Sequence, residues 1–245
     1  MAFAAASHRP IVGAVATQGV SDRVAFLRKT YAHLGVALLA FAAIAGGMIR
    51  FTPEASIKFS RWALTGQWSW LLVIGGFMLV GYLAQRLAMS ETSRGLQYLG
   101  LAIFVVAEAF LLQPLIWILM LRFGGAGAMA IVSQATVITL TIFLGLTLTV
   151  FLTRKDFSFL HGILTVGSFA VLGVIIAAIA FGFSLGAFFC GAVILLMSGY
   201  ILFQTSAIMK DFPPTAYVAA ALMLFSTIAT LFWYVLQFLA SLRND

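Results

Sequence analysis

The sequence predicts an all-α membrane protein, a bundle of seven transmembrane helices. Three observations carry this reading. Seven apolar stretches each hold about the 20 residues a helix needs to cross a bilayer. Apolar residues make up 63% of the 245-residue chain and charged residues only 9%, against about 25% charged in a soluble domain. Mean hydropathy is +1.10, so lipid must take up the apolar surface. Lipid offers no partner to backbone N–H and C=O groups, which restricts spans to helices or closed strands. Lengths of about 20 residues without dyad alternation select helices.

The elements follow in order. Residues 1–25 are mixed and polar after an Ala-rich start. They read as a flexible cytoplasmic tail, with residues 26–245 as the seven-span domain. Arg28 and Lys29 precede the first stretch, residues 31–49, which is long enough to be a retained span rather than a cleaved leader. The loop 50–67 carries Pro53, Glu54, Lys58 and Arg61, with Ile57, Trp62 and Leu64 spaced for an amphipathic piece lying in the interface. Span two, 68–88, opens on Trp68 and Trp70, which suit an aromatic belt, and closes on Arg86.

Span three, 96–121, holds Glu108 and Pro114. Span four, 126–153, carries Ser133, Gln134, Thr136, Thr139, Thr141, Thr147 and Thr149. Span five, 159–181, begins beside Arg154, Lys155 and Asp156. Span six, 185–209, contains Cys190, Ser198, Gln204, Thr205 and Ser206. Pro213 and Pro214 break the chain before span seven, 215–239, because proline lacks a donor and disfavours helix in the residue before it. Span seven carries Ser226, Thr227 and Thr230. These small hydroxylated residues serve either close helix packing or a pore lining.

Orientation follows from the loop lysines and arginines. With the N-terminus inside, the inner side holds Arg9, Arg23, Arg28, Lys29, Arg86, Arg94, Arg154, Lys155 and Lys210, nine residues. The outer side holds Arg50, Lys58, Arg61, Arg122 and Arg243, five. Nine against five predicts a cytoplasmic N-terminus and, with seven spans, an external C-terminus. The net charge of +7 does not point to nucleic acid, since no basic run with interleaved aromatics appears. Cys190 is the only cysteine, so no internal disulfide forms.

No constellation for enzyme chemistry appears. There is no GxSxG, HExxH or P-loop. His8, His33 and His161 are scattered without ligand spacing, so neither metal nor cofactor is expected. One residue stands out. Glu108 is the only acid near the middle of a span, and a charge there costs at least about 3 kcal/mol. It is either a proton- or cation-responsive group facing the interior or a glutamate that ties helices together. Pro114 frees the Phe110 carbonyl, which either lines a polar cavity or marks an ordinary kink. Arg86 is either a snorkelling anchor or a partner for a polar group deeper in the bundle.

Several stretches resemble the Bax-inhibitor-1/YccA family. Residues 26–34, FLRKTYAHL, resemble its entry into the first span. Residues 135–164, ATVITLTIFLGLTLTVFLTRKDFSFLHGIL, resemble its Thr- and Phe-rich fourth span and the turn after it. Residues 199–205, GYILFQT, resemble its sixth span and residues 217–239 its seventh. The resemblance covers about residues 22–240 and implies a seven-helix bundle with the last helix central. It implies either a pH-sensitive calcium or proton leak or a regulator of membrane machinery, such as a modulator of an FtsH-type membrane protease, in a bacterial inner membrane. Leak members use an aspartate in span six, another in span seven and an arginine near the end of span two. Here those positions match Gln204, Thr227 and Arg86. Gln204 and Thr227 cannot titrate, so pair gating is either lost or moved to Glu108. The sequence therefore leaves two functions open: cation permeation centred on Glu108, or a non-transporting regulator that binds a membrane protease or another integral protein among the membrane lipids.

Overall fold

The computed structural model describes residues 14–90, 93–153 and 155–243. Among them the regular elements are a short turn of 3-10 helix at Val15–Thr17 and seven α-helices. These are α1 (Val20–Phe51), α2 (Pro53–Leu64), α3 (Gln67–Ala88), α4 (Arg94–Thr153), α5 (Leu160–Phe181), α6 (Ala187–Lys210) and α7 (Tyr217–Leu242).

Six of these are long and apolar enough to cross a membrane. One of the six counts twice. As a straight rod the 60 residues of α4 would reach about 90 Å, roughly three hydrocarbon thicknesses. The backbone leaves helical geometry at Gly124, with φ 70° and ψ 172°, a conformation that glycine reaches without a Cβ penalty. The contacts of α1 show what the break does. Near its start, His33 stacks on Tyr98 at 5.5 Å and Tyr31 meets Phe151 edge-on at 5.7 Å. Further along, the Ala45 carbonyl accepts from Gln113 Nε2, and Ala45 shares a cavity wall with Ala128. The arms 94–123 and 125–153 thus run in opposite senses along α1. With this hairpin the bundle has the seven spans the sequence predicts.

The element ends follow their residues. Pro53 opens α2, where its missing N–H costs nothing. Gly182 closes α5 in the left-handed conformation. The amphipathic loop is a full helix, α2. Its Ser56, Ser60 and Ala63 pack inward, while Trp62 and Leu64 stay exposed.

The last helix is the core. Two thirds of the most apolar window of α7 is buried, against 28% or less for every other span, and α7 packs on α1, α3, α4 and α6. Phe225 at its middle takes Phe41 edge-on at 5.8 Å and Phe104 at 6.1 Å. Phe104 tilts against Phe77 of α3.

Of the stretch read as a tail, residues 1–25, the structure describes residues 14 onward. Residues 1–13 lie outside the described part. After them, Val15 is buried, its N–H donates to the Phe212 carbonyl at 2.8 Å, and α1 begins at Val20. The reason is packing: Phe26, Thr30, Leu34, Ala37, Phe41 and Ala45 are buried along one face of α1, a helical stripe that begins before the membrane.

The tightest glycine contact with a neighbouring backbone lies between α3 and the first arm of α4. A Cβ on Gly100 would sit 2.5 Å from the Ala84 carbonyl oxygen and 2.9 Å from the Ala88 nitrogen. Neither is a flexible atom, so the helices must part. Gly100→Ala is expected to lower stability by about 1–3 kcal/mol, read as an earlier loss of helical signal on heating in detergent. Gly145→Ala, whose added methyl would have nothing within 4 Å, serves as the silent control.

Candidate functional site

The pair of positions singled out by the resemblance meets in the bundle. Thr227 Oγ1 on α7 donates to Gln204 Oε1 on α6 at 2.8 Å, and both side chains are buried. Thr227 also makes a longer bond, 3.3 Å, to the Met223 carbonyl. A hydroxyl donor and an amide acceptor satisfy each other with no charge. This contact can hold α6 against α7, and it has no proton to release near neutral pH.

Around it lie further hydroxyls. Thr205, next to Gln204, is buried, and the Tyr31 hydroxyl of α1 faces Thr205 and Thr147. None of these three oxygens makes a hydrogen bond of good geometry among the described residues. Tyr31 is fixed there by Phe143 and Phe151 of the second α4 arm. Most of the remaining hydroxyls of span four turn back onto their own helix. Thr136 donates to Val132, Thr149 to Gly145 and Ser133 to Ala130, which is the behaviour of satisfied membrane-helix residues.

Arg86 is not joined to the pair. It is exposed at the end of α3, where Nε and one terminal nitrogen donate to the Tyr82 hydroxyl at 3.0 and 2.8 Å. It borders a cavity of about 410 Å³ between α3 and the start of α7. Met223 lines that cavity too, so its floor ends one turn before Thr227.

Glu108 is 7% exposed. It lies four residues after Phe104 and four before Leu112, on the face of α4 that meets α7. It lines neither the cavity beside Arg86 nor the one walled by Ala45 and Ala128, and no hydrogen bond reaches its carboxyl among the described residues. Pro114 is buried in an arm that stays helical through it, and neither Pro114 nor Phe110 lines either cavity.

Sequence reasoning missed one buried network. Gln113 is fully buried and donates to the carbonyls of Ala109 and Ala45. Its Oε1 accepts from Ser56 Oγ at 2.7 Å, and Ser56 Oγ accepts from Trp117 Nε1 at 2.8 Å. This ties α2 to the first α4 arm and to α1. A glutamine within an apolar run was the available signal, of the same kind that singled out Glu108.

At the opposite end, Lys210 at the close of α6 pairs with Asp156 in the turn before α5. Ser158 donates to the same carboxylate through its N–H at 3.0 Å and its hydroxyl at 2.7 Å. The Lys210 bond, and then Ser158, hold the Asp156 carboxyl well below the usual carboxylate range. A lowered folded-state value stabilises the fold above the ordinary carboxylate range and is lost as pH falls through and below it, from about pH 4 downward. The pair is well exposed, so screening limits its worth to about 1 kcal/mol or less. Asp156→Asn is expected to speed amide hydrogen exchange in residues 155–159 at pH 7, with an effect that begins to shrink below about pH 4 and is lost only well below it, once the folded-state carboxyl itself is protonated. No effect at pH 7 would count against the pairing.

Comparison with known proteins finds a matching family model and several relatives. The family model described as inhibitor of apoptosis-promoting Bax1 matches residues 23–244. The chain is 31% identical over 236 residues to Bax inhibitor 1 of Schizosaccharomyces pombe, covering 94% of this chain and 82% of that protein. It is 28% identical over 245 residues to Protein LIFEGUARD 3 of Arabidopsis thaliana, covering 97% and 93%. It is 26% identical over 239 residues to Protein lifeguard 4 of Mus musculus, covering 94% and 90%.

Proposed function

The chain belongs to the family of inhibitors of apoptosis-promoting Bax1, and from that premise we propose that it is a non-transporting membrane regulator. It acts by binding another integral membrane protein, with a membrane protease of FtsH type as the leading class, and without covalent chemistry of its own. The observation that carries this reading is the neutral Thr227–Gln204 hydrogen bond where leak members of the resembling family place two carboxylates. A carboxylate pair at close range shares a proton and so responds to pH; a threonine–glutamine pair does not. The burial of Glu108, which lines neither of the two cavities described above, supports the same reading. We place the protein in a bacterial inner membrane on the family resemblance, with its N-terminus cytoplasmic and its C-terminus external on the nine-to-five bias of basic residues.

A second reading keeps calcium or proton permeation centred on Glu108. It is favoured by a buried carboxyl with no hydrogen-bond partner among the described residues. Flux separates the two. Reconstituted into liposomes with calcium- and pH-sensitive dyes, the regulator admits neither ion above the empty-vesicle rate between about pH 5 and 8. A calcium or proton leak that rises severalfold with acidification would transfer the assignment to the second reading.

A further inference from the structure

The cavity beside Arg86 is built for an amphiphile with a negative head. Its exposed edge carries the polar side chains Tyr82, Gln85 and Arg86, with Met89 beside them. Its floor is apolar: Ala219 and Leu222, both buried, and Met223. The guanidinium is held in place by Tyr82, which accepts two of its hydrogen bonds and lies under it with the ring centroid 5.2 Å away. An arginine has five N–H donors, so the remaining three are free of Tyr82. Among the described residues no carboxylate pairs with it. Ala219 belongs to the first turn of α7, and no side chain caps that helix end.

The site lies at the end of the bundle that also carries Arg94 and Lys155, along with Asp211 and the paired Lys210 and Asp156. Basic pockets between membrane helices at such an end suit phosphate head groups, and the arginine fork matches phosphate oxygens. We propose that this cavity binds one anionic phospholipid, its phosphodiester on Arg86 and Gln85 and one acyl chain over Leu222 and Met223. Free phosphate lacks the tail that the apolar floor would cover, and phosphatidylcholine carries a compensating cation. This inference is independent of whether the protein conducts ions.

The test uses the full chain in neutral detergent, with lipid retention read by native mass spectrometry and melting followed in parallel. Phosphatidylglycerol is expected to be retained about five- to tenfold over phosphatidylcholine and to raise the melting temperature. Inorganic phosphate should do neither. Arg86→Gln should abolish the preference. Gln85→Glu, at an exposed position, should abolish it as well by offering Arg86 a rival carboxylate. Arg94→Gln, at the same end, should leave it intact. Equal retention of the two lipids, or a preference that survives both rim substitutions, overturns the proposal. So does a preference lost equally in Arg94→Gln, which would mean diffuse attraction to a basic surface. Phosphate alone matching the lipid, or oleate displacing phosphatidylglycerol at equal concentration, would assign the cavity to another anion and also overturn it.

Discussion

Replacing Gln204 and Thr227 together by aspartate is expected to give the bundle a pH-responsive leak. The two side chains already touch, at 2.8 Å between Thr227 Oγ1 and Gln204 Oε1, so two carboxylates there would begin within bonding distance. With one shared proton they would hold α6 against α7. With both ionised, at about 4 Å and an effective dielectric near 20, they would repel by about 4 kcal/mol. Packed arrangements often differ by only a few kcal/mol, so α6 and α7 should part. Calcium flux in liposomes should depend on pH between about 5 and 8 and change by at least about tenfold across that range. Thr227→Asp alone pairs a carboxylate with an amide and should give much less. A double variant that folds, by its helical signal and monodisperse elution, yet leaks no more than the parent would show that the contact has no latent gate.

Much of this architecture was legible because membrane helices announce themselves by length and hydropathy. The hairpin at Gly124 was legible as two spans, since residues 122–127 interrupt the apolar run with Arg122 and three glycines. The start of α1 was not. Asp22, Arg23, Arg28 and Lys29 make residues 20–30 look like a soluble tail, and hydropathy averages hide a stripe that takes only about one residue in four. Phe26 and Thr30, buried in register with Leu34, were the signal. At the site, the facing of Gln204 and Thr227 was legible only through the resemblance, because nothing local links positions 23 residues apart. The Gln113–Ser56–Trp117 network was invisible for the same reason: its partners lie 57 and 61 residues apart. The isolation of Arg86 from the pair depends on the relative rotation of α3 and α7, which packing sets and composition does not.

Glu108 is where the two functional readings part most sharply, and the expected result is a contrast between two substitutions. Its carboxyl is buried on the α4 face that meets the central helix, where any charge costs at least about 3 kcal/mol. Glu108→Gln keeps the volume and the capacity to donate and accept, and should change stability by less than about 1 kcal/mol. Glu108→Lys forces a longer cation into the same packed space with no described carboxylate to meet it. It should cost at least about 3 kcal/mol, seen as loss of folded protein in detergent. If the protein is a regulator, the glutamine variant also leaves ion flux at the empty-vesicle rate and retains partner binding in co-purification from membranes. If Glu108 instead carries a leak, the parent shows flux that varies with pH and the glutamine variant loses that dependence while remaining folded. The stability contrast tests the burial, and the flux contrast tests the function, so a failure of one leaves the other readable. A lysine variant as stable as the parent would mean that the carboxyl reaches water, and that the centre between α4 and α7 is not sealed whatever the flux.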